Sequence, residues 1–289
     1  MKVQLWWIWV KKAGARFSQK SAFFHAAALS YYALFSLVPM LYLSLISFGS
    51  LVGKERCIQM ITELFQQNMG ISDVNAFTDY IRTLIAQESS LFFNAIMFFV
   101  LIYAASAFMV SLKFSLNEFF GVERNKRQKT NLLLSFLSFR ITSIAHLALM
   151  GFLIFLFYFL QVLIFTVIEQ YLVSHPIWEL GIFNLVHHSF SMLLNMVLIY
   201  LMFRVVQSGT LSKPSALKGA MITGVLLYFS QVAVKYYLNH FFFLGKGEAI
   251  GNLFILMAWV FYTAQIIFFG ASLTHVIEVE GQRNNVGND

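Results

Sequence analysis

Polar side chains inside apolar stretches are the residues here best placed to do chemistry. Each is costly in hydrocarbon and needs a partner or a task. The main ones are His146, Gln161, Asn195, Gln231, Lys235 and Gln265. Asn195 and Gln265 fall near the middle of their stretches, where they could bond each other or a polar group in transit. Tyr32 and Ser36 are four residues apart, so a helix puts both hydroxyls on one face. Pro39 has no N–H for the carbonyl of Phe35, which leaves that oxygen beside the hydroxyl stripe. Lys235 sits near an end and can snorkel to the interface. His146 would need a carboxylate partner to relay protons, and the stretches hold none. His187 and His188 point about 100° apart on a helix and do not form a chelating pair.

The carboxylates argue against hydrolytic chemistry. The three Asp are Asp73, Asp79 and Asp289, and the central basic segment adds only Glu118 and Glu123. A metal-dependent hydrolase or nuclease needs clustered carboxylates or histidines, and no such cluster can be drawn. A phosphate-cradling glycine loop, a nucleophile elbow and zinc-ligand spacing are all missing. The expectation is a protein that is not an enzyme, with no cofactor and no metal site. One cysteine, Cys57, forbids an intramolecular disulfide.

These residues must be carried by membrane helices. Of 289 residues, 59% are hydrophobic and 11% charged, against about a quarter charged in a soluble domain. Mean hydropathy is +0.71. Six apolar runs reach the roughly 20 residues that cross a bilayer. They cover about 27–52, 91–112, 141–168, 182–203, 216–238 and 250–276. The fold class is therefore all-α, a six-helix transmembrane bundle over 27–276. Residues 1–26 precede it, and a short polar tail, 277–289, follows. The second helix should leave the membrane at Lys113 and run on to Gly121, a plausible cap.

Charge gives the orientation. Residues 1–26 hold five Lys/Arg and no acid, 53–90 three against five acids, and 113–140 six against two. Residues 169–181 hold two acids and no Lys/Arg, whereas 204–215 hold Arg204 and Lys213 without an acid. This alternation places both termini in the cytoplasm and 53–90 outside. No cleavable signal peptide is visible, since Leu5 to Val10 is short and Lys11 and Lys12 follow at once. The first twenty residues read as an interfacial helix. Trp6, Trp9, Ala13 and Phe17 lie near one stripe, and Lys12, Arg16 and Lys20 lie on another that faces anionic lipid. Residues 53–90 show two amphipathic repeats, at Cys57, Ile58, Ile61, Leu64 and Phe65 and at Val74, Phe77, Ile81, Leu84 and Ile85. These are expected to cover the outer mouth. Arg124, Lys126, Arg127 and Lys129 form a basic loop suited to lipid headgroups, with Asn117 and Glu118 placed to fix it.

Four blocks carry a resemblance. They are Ala26 to Pro39; Ser111 to Val122 with Leu116-Asn117 and Gly121-Val122; Lys218-Gly219-Ala220; and the last run with Gly251, Trp259, Tyr262 and Gly270-Ala271 before Leu273. Together they resemble the YihY / virulence factor BrkB family of bacterial inner-membrane proteins, nearly end to end. Ile250 replaces the family's usual Tyr, and Ser272 a frequent Glu. If that Glu couples protons elsewhere, it cannot do so here. The resemblance implies six transmembrane helices in a bacterial inner membrane. Members were once labelled a ribonuclease, BN, which the carboxylate count does not support. They have also been linked to serum resistance and to moving lipids or solutes.

The leading expectation is translocation of a lipid or other amphiphile. Tyr32, Ser36, Pro39, Asn117, Asn195 and Gln265 are the path candidates, and Arg124, Lys126, Arg127 and Lys129 the headgroup candidates. The net charge of +7 is thus assigned to the cytoplasmic membrane face rather than to nucleic acid. A small-solute or ion transporter with a closed cavity is the alternative. A third reading is an envelope-assembly scaffold that meets a periplasmic partner through 53–90. Monomer and homo-oligomer both remain open.

Overall fold

The computed structural model describes residues 2–53, 91–122, 183–207, 211–240 and 249–286, with scattered positions from 55 to 82 and from 141 to 164. Six helices and no strand occur among the described residues. They are α1 (Lys2–Gln19), α2 (Ala22–Val52), α3 (Leu91–Phe120), α4 (Phe183–Val205), α5 (Lys213–His240) and α6 (Ala249–Val286). Among the described residues, four stretches are long and apolar enough to cross a membrane: Leu91–Phe120, His188–Val205, Lys213–Val234 and Leu253–Arg283. Ala22–Leu37 is a shorter apolar stretch. Most of the expected third span, 141–168, lies outside the described residues, as does most of 53–90. Among the few described positions of the latter, Arg82 lies 3.3 Å from Glu55 and 3.4 Å from Asp79, all three exposed.

Local chemistry explains where the helices end. Ser21 takes a left-handed φ of 52°, and this turns the chain between α1 and α2 within two residues. Gly121 has φ 71°, a conformation that a side chain resists. Its N–H meets the carbonyl of Glu118 at 3.2 Å, and the Val122 N–H meets that of Asn117 at 2.9 Å. These two bonds make a Schellman cap, so α3 stops where the sequence marks it. Pro39 does not end α2, which runs through it to Val52. The expected polar tail begins instead as helix: α6 continues to Val286. Its last turns carry Glu278 and Glu280, whose carboxylates bond Ser212 and Lys12 and so give the extension something to hold.

The chain divides into two compact units. One comprises 1–20, 113–228 and 266–289; the other comprises 21–112 and 229–265. The first unit is built on a reciprocal crossing of α5 and α6. Thr274 packs into the space a Cβ would take at Gly219, and Thr223 into that at Gly270. Each helix carries a glycine and, four residues on, a threonine, and the first of one helix meets the last of the other, so the two run antiparallel. Small residues let backbones approach, which replaces the missing hydrophobic drive between helices in lipid. Both threonine hydroxyls donate to their own helix, Thr223 to Gly219 at 2.6 Å and Thr274 to Gly270 at 2.7 Å. A buried hydroxyl is thereby satisfied while its methyl packs on the partner. Gly224 makes a similar approach to the backbone of Met196 on α4.

A Cβ at Gly219 would lie 1.8 Å from Thr274 Oγ1. Gly219→Ala is therefore expected to destabilise the detergent-solubilised protein by about 1–3 kcal/mol, the range for overpacking. Adding Thr274→Gly should recover part of that loss. Thermal unfolding followed by size-exclusion chromatography checks both.

Candidate functional site

A helix leaves its last four carbonyls without partners from within, and in α3 these belong to residues 117–120. The first unit supplies one for each. Asn117 O takes the Val122 N–H, and Glu118 O takes the Gly121 N–H. Arg16 of α1 reaches the same end: its Nε donates to Phe119 O at 2.8 Å and its Nη2 to Glu118 O at 3.3 Å. His275 of α6 hydrogen-bonds the Phe120 backbone. Arg16 Nη2 and the His275 ring also flank the bare face of Gly121, where a Cβ would come within 2.8 Å of each. Glycine at 121 thus permits both the cap and the close approach of the two side chains.

Burial pulls the Arg16 pKa below its ordinary value, and nearby Glu118 opposes that. The guanidinium stays charged, because arginine does not deprotonate in proteins. A cation at a helix C-terminus is favoured by the helix dipole. Lys20 adds a second one, 2.5 Å from a Glu118 carboxylate oxygen, and Lys12 pairs with Glu280 at 2.5 Å. Glu118 therefore holds Lys20; the basic loop that it was expected to fix lies outside the described residues. The apolar side of α1 is used as fully. Ala13 is completely buried with Leu273, Val276 and Ile277, and Trp9 packs against that cluster. Phe17 meets Phe119 and Phe269 at 6.5 and 6.1 Å between ring centroids. Phe119 in turn stacks on Phe268 at 4.9 Å.

The opposite charge stands at the start of α5. Glu278 accepts bonds from the hydroxyls of Ser212 and Ser215, and Gln282 adds one at 3.1 Å. A carboxylate at a helix N-terminus is the favourable sign. Arg204, at the end of α4, donates to the Leu211 carbonyl at 2.8 Å and fixes the approach to α5. Further along, the Tyr228 hydroxyl and His188 Nδ1 are 2.6 Å apart.

The second unit holds the first-helix candidates. Ser36 donates to the Ala33 carbonyl at 2.9 Å, so its hydroxyl is not held by the Phe35 carbonyl that Pro39 frees. Tyr32 is half-buried with its ring 5.7 Å from that of Tyr31. Ser30 and Ser106, both buried, likewise donate within their own helices. Tyr42, missed in the sequence, is 2% exposed and donates to Asn94 Oδ1 at 2.7 Å. Gln265 differs from all of these: its Nε2 is buried with no hydrogen-bond partner among the described residues.

Of the path candidates, Tyr32, Ser36, Pro39 and Gln265 belong to this second unit, whereas Asn117 and Asn195 belong to the first. Arg124, Lys126, Arg127 and Lys129 lie outside the described residues. The basic stripe of α1 is a correction. Lys12, Arg16 and Lys20, expected to face lipid, reach the protein's own carboxylates and carbonyls, because the helix ends and acids packed beside α1 offer partners at short range. Among the described residues, no group of three or more His, Cys, Asp or Glu could hold a metal.

Long apolar helices among the described residues define a multi-pass helical membrane protein. The chain belongs to the family described as virulence factor BrkB, whose model matches residues 13–288. No curated protein and no solved structure matches it.

Replacing Arg16 by Ala takes the donor from the Phe119 carbonyl, while the Glu118 carbonyl keeps the Gly121 N–H; an acceptor left unsatisfied in the interior costs about 1–3 kcal/mol. Arg16→Ala should lower the unfolding midpoint clearly, and Arg16→Lys should recover little, since a compact ammonium lacks the planar, spaced donors by which the guanidinium meets both carbonyls. Lys20→Ala should cost at most about 1 kcal/mol, as exposed pairs do. The same thermal assay ranks the three.

Proposed function

We propose that this protein moves a lipid or another amphiphile across or out of a bacterial inner membrane. In this reading six helices span the bilayer, both termini are cytoplasmic, and the chain is a transport protein without catalytic chemistry or a bound cofactor. One observation carries it, the buried Gln265 Nε2, which has no acceptor among the described residues. The other buried hydroxyls described above are satisfied within the protein. An unmet donor in a low-dielectric interior costs about 1–3 kcal/mol. Such a donor is retained at a net benefit where an acceptor-bearing molecule visits it. Phosphate, ester and sugar oxygens of a lipid headgroup are acceptors of that kind. Tyr32 and Ser36, in the same unit, line the path beside Pro39. Arg124, Lys126, Arg127 and Lys129 gather anionic headgroups at the cytoplasmic face, and residues 53–90 remain available to a periplasmic partner.

The test uses proteoliposomes that carry headgroup-labelled phosphatidylglycerol and an impermeant quencher. Protein-dependent movement between leaflets is expected. Gln265→Leu, close in shape but without the donor, should slow it about tenfold if one bond worth about 1.4 kcal/mol is lost in transit. The same variant should unfold no earlier than the wild type, because it removes an unmet polar group. Wild-type movement in Gln265→Leu, or none above empty vesicles with the native protein, would contradict the proposal.

Orientation is checked separately. An impermeant maleimide added outside spheroplasts should label Cys57. In a Cys57→Ser background, Lys126→Cys should label only after the membrane is opened. Labelling in the reverse order would overturn the assignment.

A further inference from the structure

α1 presents two faces, and the structure assigns the outer one to the surface of an anionic bilayer. The inner face is consumed by protein, through Trp9, Ala13 and Phe17 on the apolar side and Arg16 and Lys20 on the polar side. Lys12 is held by Glu280. With those contacts made, the helix cannot roll to offer the same residues to lipid. Positions 7, 8 and 11 fall on the opposite side at 100° per residue. Trp7 is 59% exposed and Ile8 46% exposed. The Lys11 ammonium sits 5.4 Å from the centroid of the Trp7 ring. Trp6, 40% exposed, flanks them at the start of the helix with its edge on Trp9.

Two arguments select an anionic lipid surface as the occupant. A tryptophan and an isoleucine beside a lysine match the headgroup boundary, where an indole is half wet and a basic group meets phosphate. The charge is also unbalanced on this face. Residues 1–20 contain no acid, and among the described residues Lys11 has no carboxylate within ion-pair distance. The contact thus falls to Trp7, Ile8 and Lys11, not to the Lys12, Arg16 and Lys20 stripe that the sequence suggests. It stands apart from the transport reading, since it concerns how the chain meets the membrane and not what it carries.

The test places the full-length protein in vesicles whose lipids are brominated high on the acyl chains. One variant keeps Trp7 alone and another keeps Trp9 alone, with the remaining tryptophans replaced by Phe. Trp7 should be quenched several-fold more than Trp9 in phosphatidylglycerol vesicles, and less in phosphatidylcholine vesicles. Lys11→Gln should erase the difference between the two lipids. Equal quenching of Trp7 and Trp9, or a Trp7 reached by aqueous iodide and not by brominated lipid, would overturn the assignment. So would a lipid preference that survives Lys11→Gln. Each variant is compared by its thermal midpoint, so that a misfolded protein is not read as a buried indole.

Discussion

The last turn of α3 ends in four carbonyls that cannot be satisfied from within the helix. Much of the first unit is arranged to meet them. Gly121 takes a positive φ, which brings two amides back onto the helix. Arg16 and His275 come from opposite ends of the sequence and supply the remaining donors. The absent side chain at 121 also makes room for both. One residue type at one position therefore sets the cap, the docking of α1 and the approach of α6.

Charge follows the same logic at two helix ends. Cations stand at the C-terminus of α3, and the Glu278 carboxylate stands at the N-terminus of α5. Each sign suits the dipole that it faces. The contributions are unequal. Exposed pairs such as Lys20 with Glu118 are worth little singly. The forked bonds of Arg16 and the Gly–Thr crossing of α5 and α6 matter more, because losing one leaves a buried acceptor unmet and disturbing the other drives atoms into overlap. A bundle in lipid gains little from apolar contact alone, so close packing and polar completion must hold it.

Helix type was legible in the sequence because apolar runs of membrane length admit few alternatives. The Gly121 cap was legible too, since a glycine follows a helical pattern there. The roles of Lys12, Arg16 and Lys20 were not. A basic stripe reads as lipid-facing when no acid is near in sequence, and their partners, at 118, 119 and 280, are about a hundred or more residues away. The helical continuation through Glu278 and Glu280 was hidden for the same reason: the residues look like a polar tail until Ser212 and Lys12 are placed beside them. Glycine–threonine spacing at 219 and 223, and again at 270 and 274, was a signal on the page. Its meaning needed the two helices to be paired. Gln265 was legible as a candidate from its position in an apolar run, but its lack of an acceptor among the described residues is a fact of three-dimensional packing.

Arg16 ties α1 to the end of α3, so the two should loosen together. Amide hydrogen exchange read by mass spectrometry, on the wild type and on Arg16→Ala in the same detergent, tests this most directly. Faster exchange in both 2–19 and 116–122 is the predicted result. A change confined to 2–19, with 116–122 as protected as before, would contradict the account by showing that the end of α3 stands without its arginine.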